Sequence, residues 1–174
     1  VDDWCHACES PLNFDVMAHP DLVMRFSKEG FAPDFGPAPF WKQMAECAHD
    51  TGRRVEVSTA APRKGLDDYY PSTGLLRCFV HAEVPITFGS DAHRACDICW
   101  NIREAQAHAY DCGYRAFDIP HPTGEWEPTP LFQPIPFISC GEIGIVWPDE
   151  VLKQSLFHRN FHESVAPAKT VPND

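Results

Sequence analysis

In the stretch "PITFGSDAHR", residues 85–94, an apolar run stops at Gly89 and is followed by Ser90, Asp91 and His93. Extended backbone sends alternate side chains to the same side, so Asp91 and His93 present a carboxylate and an imidazole together. Such a pair can ligate a divalent cation of the zinc, manganese or iron type. It can equally be structural, with Ser90 or Asp91 capping a following helix and His93 in solvent. A second apolar run, 14–18, ends in His19-Pro20-Asp21 and repeats the imidazole-then-carboxylate order. By itself this could be a His-Pro turn with Asp21 as an N-cap. The recurrence favours ligation, because matching ends of parallel strands bring their side chains together as a multi-metal centre requires. A third run, 54–59, carries Glu56 and Ser58 and leads to Arg63 and Lys64, while Arg94 follows His93. Guanidinium groups beside metal ligands point to an anionic substrate, since they pair well with phosphate oxygens; alone, Arg63 and Lys64 would read as a solvated loop. Ser90 lacks the strained GxSxG elbow of a serine hydrolase, so nucleophilic serine chemistry is not expected.

The elements that must position these residues follow from periodicity. Strands are expected at 14–18, 54–59, 85–88 and 115–119. Helical spacing marks 40–49, stopped by Gly52; 71–81, with Pro71 suited to the first turn; and 101–112, ended by Gly113. Strands alternating with helices predict βα units with parallel strands, whose function gathers at the strand carboxyl ends. The visible strands are too few for a closed barrel, which leaves a small open sheet or part of a barrel. Residues 120–174 are proline-rich and read as an extension packed on the domain, with a terminal helix over 150–162 and a loose tail. His158 and His162 share a face of that helix, read as exposed surface rather than a second metal site.

Composition narrows the class. A chain of 174 residues, 44% hydrophobic, can bury a core, and 25 acidic against 14 basic residues leave no basic stripe for a nucleic acid. No apolar run is long enough for a membrane span and no signal peptide opens the chain, so a cytoplasmic protein is expected. Two CxxC pairs, Cys5 with Cys8 and Cys96 with Cys99, raise a zinc site. However, they stand about 87 residues apart, far beyond a zinc-ribbon spacing, and reduced or buried thiols are the expectation.

The segments "FDVMAHPDLVMRF", "VEVSTAAPRKGLDDYYPSTGLLR" and "VPITFGSDAHR", in this order, resemble the later motifs of the PHP (polymerase and histidinol phosphatase) family, in its histidinol-phosphatase branch. The resemblance covers roughly residues 14–118. It implies the C-terminal part of a distorted seven-stranded βα (TIM-like) barrel over residues 1–119, with two or three divalent metals (Zn, Fe or Mn) at the strand ends. His19, Asp91 and His93 would be metal ligands, with Asp91 and His93 catalytic. Arg63, Arg94, Glu56 and Ser58 would face a small phosphorylated substrate, L-histidinol phosphate in that branch. Another sugar or nucleotide phosphate is the alternative, and a non-catalytic half-barrel assembly module is the rival from another class.

Two departures stand out. Ser58 occupies the place of an asparagine and Ala61 that of a glycine, which bears on substrate contacts. The family's opening His-x-His is absent, and the chain begins at Val1. The expected partner is therefore an N-terminal half of the barrel, or a second copy covering the same apolar edges.

Overall fold

The computed structural model describes residues 1–31, 34–132, 135–139 and 142–146. The chain divides into a unit from Val1 to Leu131 and another from Phe132 to Asp174.

Three strands, β1 (Val16–Met17), β2 (Arg54–Ser58) and β3 (Ile86–Gly89), form a parallel sheet in the order β1-β2-β3. Parallel neighbours need crossover connections. The first holds a 3-10 segment (Leu22–Glu29) and a helix at Ala38–Asp50; the second holds a short helix at Ala60–Arg63 and a longer one at Thr73–His81. With the helix Asp2–Cys8 as α1, these are α2, α3 and α4, and α5 (Ile102–Cys112) follows β3. Asp2 and Asp3 in the first turn of α1 and His6 in its last are its local signals.

Period-two alternation in β2 buries Val55 and Val57 completely, and Ile86 of β3 joins them. Against this layer pack Met44, Ala45 and Ala48 of α2, Leu75, Leu76 and Phe79 of α4, and Ala105 and Ala109 of α5. The small residues on α2 and α5 let their backbones approach closely. Arg53 fixes the chain entering β1: its Nε donates to the Cys8 carbonyl at 3.1 Å, one Nη to Ser10 at 2.9 Å and the other to Phe14, with Phe14 stacked under the guanidinium.

Two expectations are corrected. Pro71 does not enter the first turn of α4; it precedes the helix after a cis peptide bond, and Ser72 is the N-cap. The part-buried amides at its start are met by two carboxylates, one of them distant in sequence. Asp21 accepts from the Ser72 N–H at 2.7 Å, and Asp68 accepts from the Thr73 N–H at 2.8 Å and its hydroxyl at 2.9 Å. Negative charge at a helix start is favourable, so Asp21 serves α4 rather than its own turn.

The strand expected at 115–119 is β4 (Ala116–Pro120), but it pairs antiparallel with β5 (Trp126–Pro130) instead of extending the parallel sheet. A turn through Gly124, at φ 87°, brings the two strands together. Pro128 and Pro130 are two apart, so both missing N–H donors fall on one edge and the other edge remains free to pair. Hence a proline-rich segment makes a strand where none was expected. Asp118 binds Arg54 Nε at 2.7 Å and Phe117 meets Phe88 edge-on, which holds the hairpin to the sheet.

In the second unit, β6 (Ile135–Ser139) and β7 (Glu142–Val146) form an antiparallel hairpin. The helix expected over 150–162, with His158 and His162, lies outside the described residues.

His108 of α5 stacks on Tyr69 with ring centroids 4.9 Å apart, and burial pushes its pKa below the ordinary histidine range. The neutral ring is thus favoured by folding. As pH falls through about 6.5 the unfolded chain takes up the proton first, so stability declines from there towards the lower folded pKa. Urea melts of wild type and His108→Gln from about pH 8 to about pH 5 should show the wild-type advantage shrinking as acid is added. An advantage independent of pH would contradict this.

Candidate active site

The carboxyl ends of β1, β2 and β3 lie side by side, and register decides what meets there. Ser58 pairs with Gly89 across β2 and β3, and Val55 of β2 pairs with Met17 of β1. Two residues beyond Met17 stands His19, and two beyond Gly89 stands Asp91. Both adopt left-handed backbone at φ 49°, a conformation that non-glycine residues rarely take and that recurs at functional sites. The same bend at both ends turns the chain so that the two side chains face one another.

His19 Nδ1 lies 2.6 Å from Glu56 Oε2, and its Nε2 lies 3.8 Å from Asp91 Oδ1. Each of the three side chains is less than a quarter exposed. The Glu56 carboxylate raises the His19 pKa, outweighing burial, with a smaller contribution from Asp91. The His19–Glu56 contact is short but its angles are not those of a hydrogen bond, so Nδ1 and Oε2 are both buried without a hydrogen-bond partner. Native proteins leave few such atoms, and they concentrate where strain or chemistry is stored. Asp21 Oδ1, Tyr70 Oη and Ser72 Oγ are orphaned in the adjoining segments, and the Tyr70 ring lies 6.1 Å from His19. Tyr70 is thus a neighbour of the site that periodicity gave no reason to single out.

Cations flank the carboxylates. Lys64 Nζ is 3.6 Å and Arg63 Nη2 is 4.0 Å from Asp91 Oδ2. Arg63 also donates to the carbonyls of Ser90 at 2.5 Å and Asp91 at 2.7 Å. It therefore clasps the left-handed turn that presents Asp91. Arg63 and Lys64 reach this place because α3 begins directly after β2, with Ser58 Oγ accepting from the Ala60 N–H at 3.3 Å.

The other expected site residues differ in how they stand to this cluster. Ser58 is fully buried with its hydroxyl turned to α3. His93 is 78% exposed at the rim of the site, its Nδ1 2.8 Å from the Asp91 carbonyl and 3.8 Å from Asp91 Oδ1. Arg94 grips Asp97 through two bonds of 3.0 Å. Imidazole nitrogen and carboxylate oxygen fit a divalent cation in donor type. Among the described residues, though, no three such side chains form a cage for one.

Gly89 explains how Glu56 reaches His19. A Cβ there would collide with the Glu56 carboxylate. Gly89→Ala should therefore displace Glu56 and cost about 1–3 kcal/mol. Chemical denaturation checks the cost, and a His19 titration by NMR should move back towards the ordinary histidine value. An unmoved His19 would mean that Glu56 does not control it.

A parallel βα sheet with an imidazole, two carboxylates and two cations gathered at its carboxyl edge defines a class of strand-end polar site. The comparison with known proteins is more particular: the chain is 27% identical over 109 residues to a probable histidinol-phosphatase of Deinococcus radiodurans, the match covering 62% of this chain and 40% of that protein. The chain thus spans about 40% of the length of the curated relative it matches. No protein-family model matches the chain. Among the described residues, no helix is long and apolar enough to cross a membrane.

Proposed function

We propose that the gene product containing this chain is a cytoplasmic, metal-dependent phosphatase of the PHP type that hydrolyses a small phosphate monoester, L-histidinol phosphate to L-histidinol. The observation that carries the reading is the meeting of His19, Glu56 and Asp91 with Arg63 and Lys64 at adjacent strand ends. The similarity to a probable histidinol-phosphatase supports the same direction.

In this reading the parallel sheet is part of a TIM-like barrel, and His19, Asp91 and His93 are ligands of two or three divalent cations (Zn, Fe or Mn). Because His93 is exposed here, it must swing inward to ligate, and further donors come from chain beyond these residues or from a second copy. Exposed apolar side chains such as Val23 and Phe31 give such a partner a surface to cover. When bound, the metals supply Lewis-acid polarisation and an activated hydroxide. This chain's own residues do the rest. Arg63 and Lys64 neutralise the phosphoryl oxygens, Glu56 orients His19, and Arg63 holds the turn that aims Asp91.

The test is phosphate release by the full gene product against a panel of histidinol phosphate, sugar phosphates and nucleotides, with and without a chelator. Chelator-sensitive release with histidinol phosphate preferred is expected. Preference for another ester would shift the substrate but keep the phosphatase. Metal binding without release from any ester would favour a non-catalytic assembly module.

A further inference from the structure

Away from the strand ends, α1 and α2 bring three cysteines together. Cys5 and Cys8 lie one turn apart on α1 and are 7% and 1% exposed, and the half-buried Cys47 of α2 faces both. The Cys47 thiol donates to the Cys5 carbonyl at 3.6 Å, which sets α2 against α1 at the cysteine-bearing face. This grouping replaces the one that the CxxC spacing raised, since Cys96 and Cys99 are exposed on the segment after β3. Three cysteines gathered on two packed helices exceed what packing needs, because alanine or valine would fill such positions without reactive sulfur.

We propose that this cluster is an oxidation site, at which a hydroperoxide converts Cys47 and Cys5 into a disulfide that staples α1 to α2. Cys47 is the least buried of the three and meets the oxidant first. Its sulfur attacks the hydroperoxide, the O–O bond breaks, and Cys47 becomes a sulfenic acid while the peroxide leaves as an alcohol or, from hydrogen peroxide, as water. Cys5 then attacks the Cys47 sulfur as its thiol proton is lost, the S–O bond breaks, and the departing hydroxide takes up that proton as water. Two thiols and one peroxide thus give one disulfide, with both sulfurs oxidised and the peroxide reduced. Cys5 suits the second role better than Cys8, being less enclosed and bonded to the Cys47 thiol through its carbonyl.

Burial pushes the Cys5 thiol up to about 11 and the Cys8 thiol to about 12, with the neighbouring Cys47 adding to both. Thiolate is scarce at neutral pH, and proximity supplies what ionisation does not. The second step should accordingly quicken as pH rises. Once formed, the link closes a long loop between α1 and α2 and restricts the unfolded chain.

The experiment treats the whole chain with hydrogen peroxide, blocks free thiols under denaturing conditions and maps the peptides by mass spectrometry. A Cys5–Cys47 cross-linked peptide is expected, lost on reduction, together with a rise of several degrees in Tm over the reduced protein. Formation should be unchanged in the double variant Cys96→Ser, Cys99→Ser, which leaves α1 and α2 untouched, and absent in Cys47→Ser. Recovery of Cys5 and Cys47 as free thiols, a Cys47–Cys8 link instead, or oxidation confined to Cys96 and Cys99 would overturn the assignment. The wild-type map decides the matter even if Cys47→Ser fails to fold.

Discussion

Replacing Asp91 by asparagine in the full gene product should lower kcat/KM for phosphate-ester hydrolysis on the order of 10³-fold while leaving the fold intact. Asparagine is the informative choice because it shares aspartate's tolerance of left-handed backbone, so the turn at φ 49° survives. What it removes is charge. Asp91 faces His19 Nε2, Lys64 and Arg63 within 4.0 Å, and without its negative charge the two cations lose their partner and any divalent cation loses a ligand. Metal titration by calorimetry should show weakened binding in parallel, and the circular dichroism melt should move little. Retention of full activity in Asp91→Asn would remove the site from consideration. Loss of activity with a collapsed melt would mean that the residue acts on the fold.

The second large effect concerns the foundation of the site. Phe79 on α4 is fully buried, packs near Trp4 of α1 at 6.1 Å between ring centroids, and belongs to the cluster that supports β2 and β3. Phe79→Ala should destabilise the chain by about 3–5 kcal/mol through lost burial and the cavity left behind. Since single domains are stable by only about 5–15 kcal/mol, the urea midpoint should drop sharply. Partial rescue by Phe79→Leu would identify volume, rather than aromatic geometry, as what the position needs. A loss below about 1 kcal/mol would show that the neighbouring helices close the gap.

Much of this was legible in residue order. The period-two run at β2, the helical spacing of α2 and α5 and the glycine after α5 are local signals, and each lies close to its expected place. The doubled imidazole-carboxylate endings were legible for the same reason, because they sit directly after apolar runs. The pairing of β4 was not. Its sequence reads equally well parallel or antiparallel, and only the Gly124 turn and the free edge of β5 decide. Asp21 was likewise ambiguous, since its partner, the Ser72 amide, is 51 positions away in sequence.

The sequence by itself determined which chemical groups end the strands: His19 after β1, Glu56 on β2, Arg63 and Lys64 after it, and Asp91 after β3. Periodicity and turn chemistry act over a few residues, and these groups lie within that range. Tertiary structure decided which of them meet. Register sets Gly89 beside Ser58, the missing Cβ of Gly89 gives Glu56 its room, and two matching left-handed bends turn His19 and Asp91 towards each other. It also turned Ser58 inward and gave Arg94 to Asp97. Side-chain direction at a strand end depends on contacts dozens of residues distant, and spacing along one chain carries no record of them.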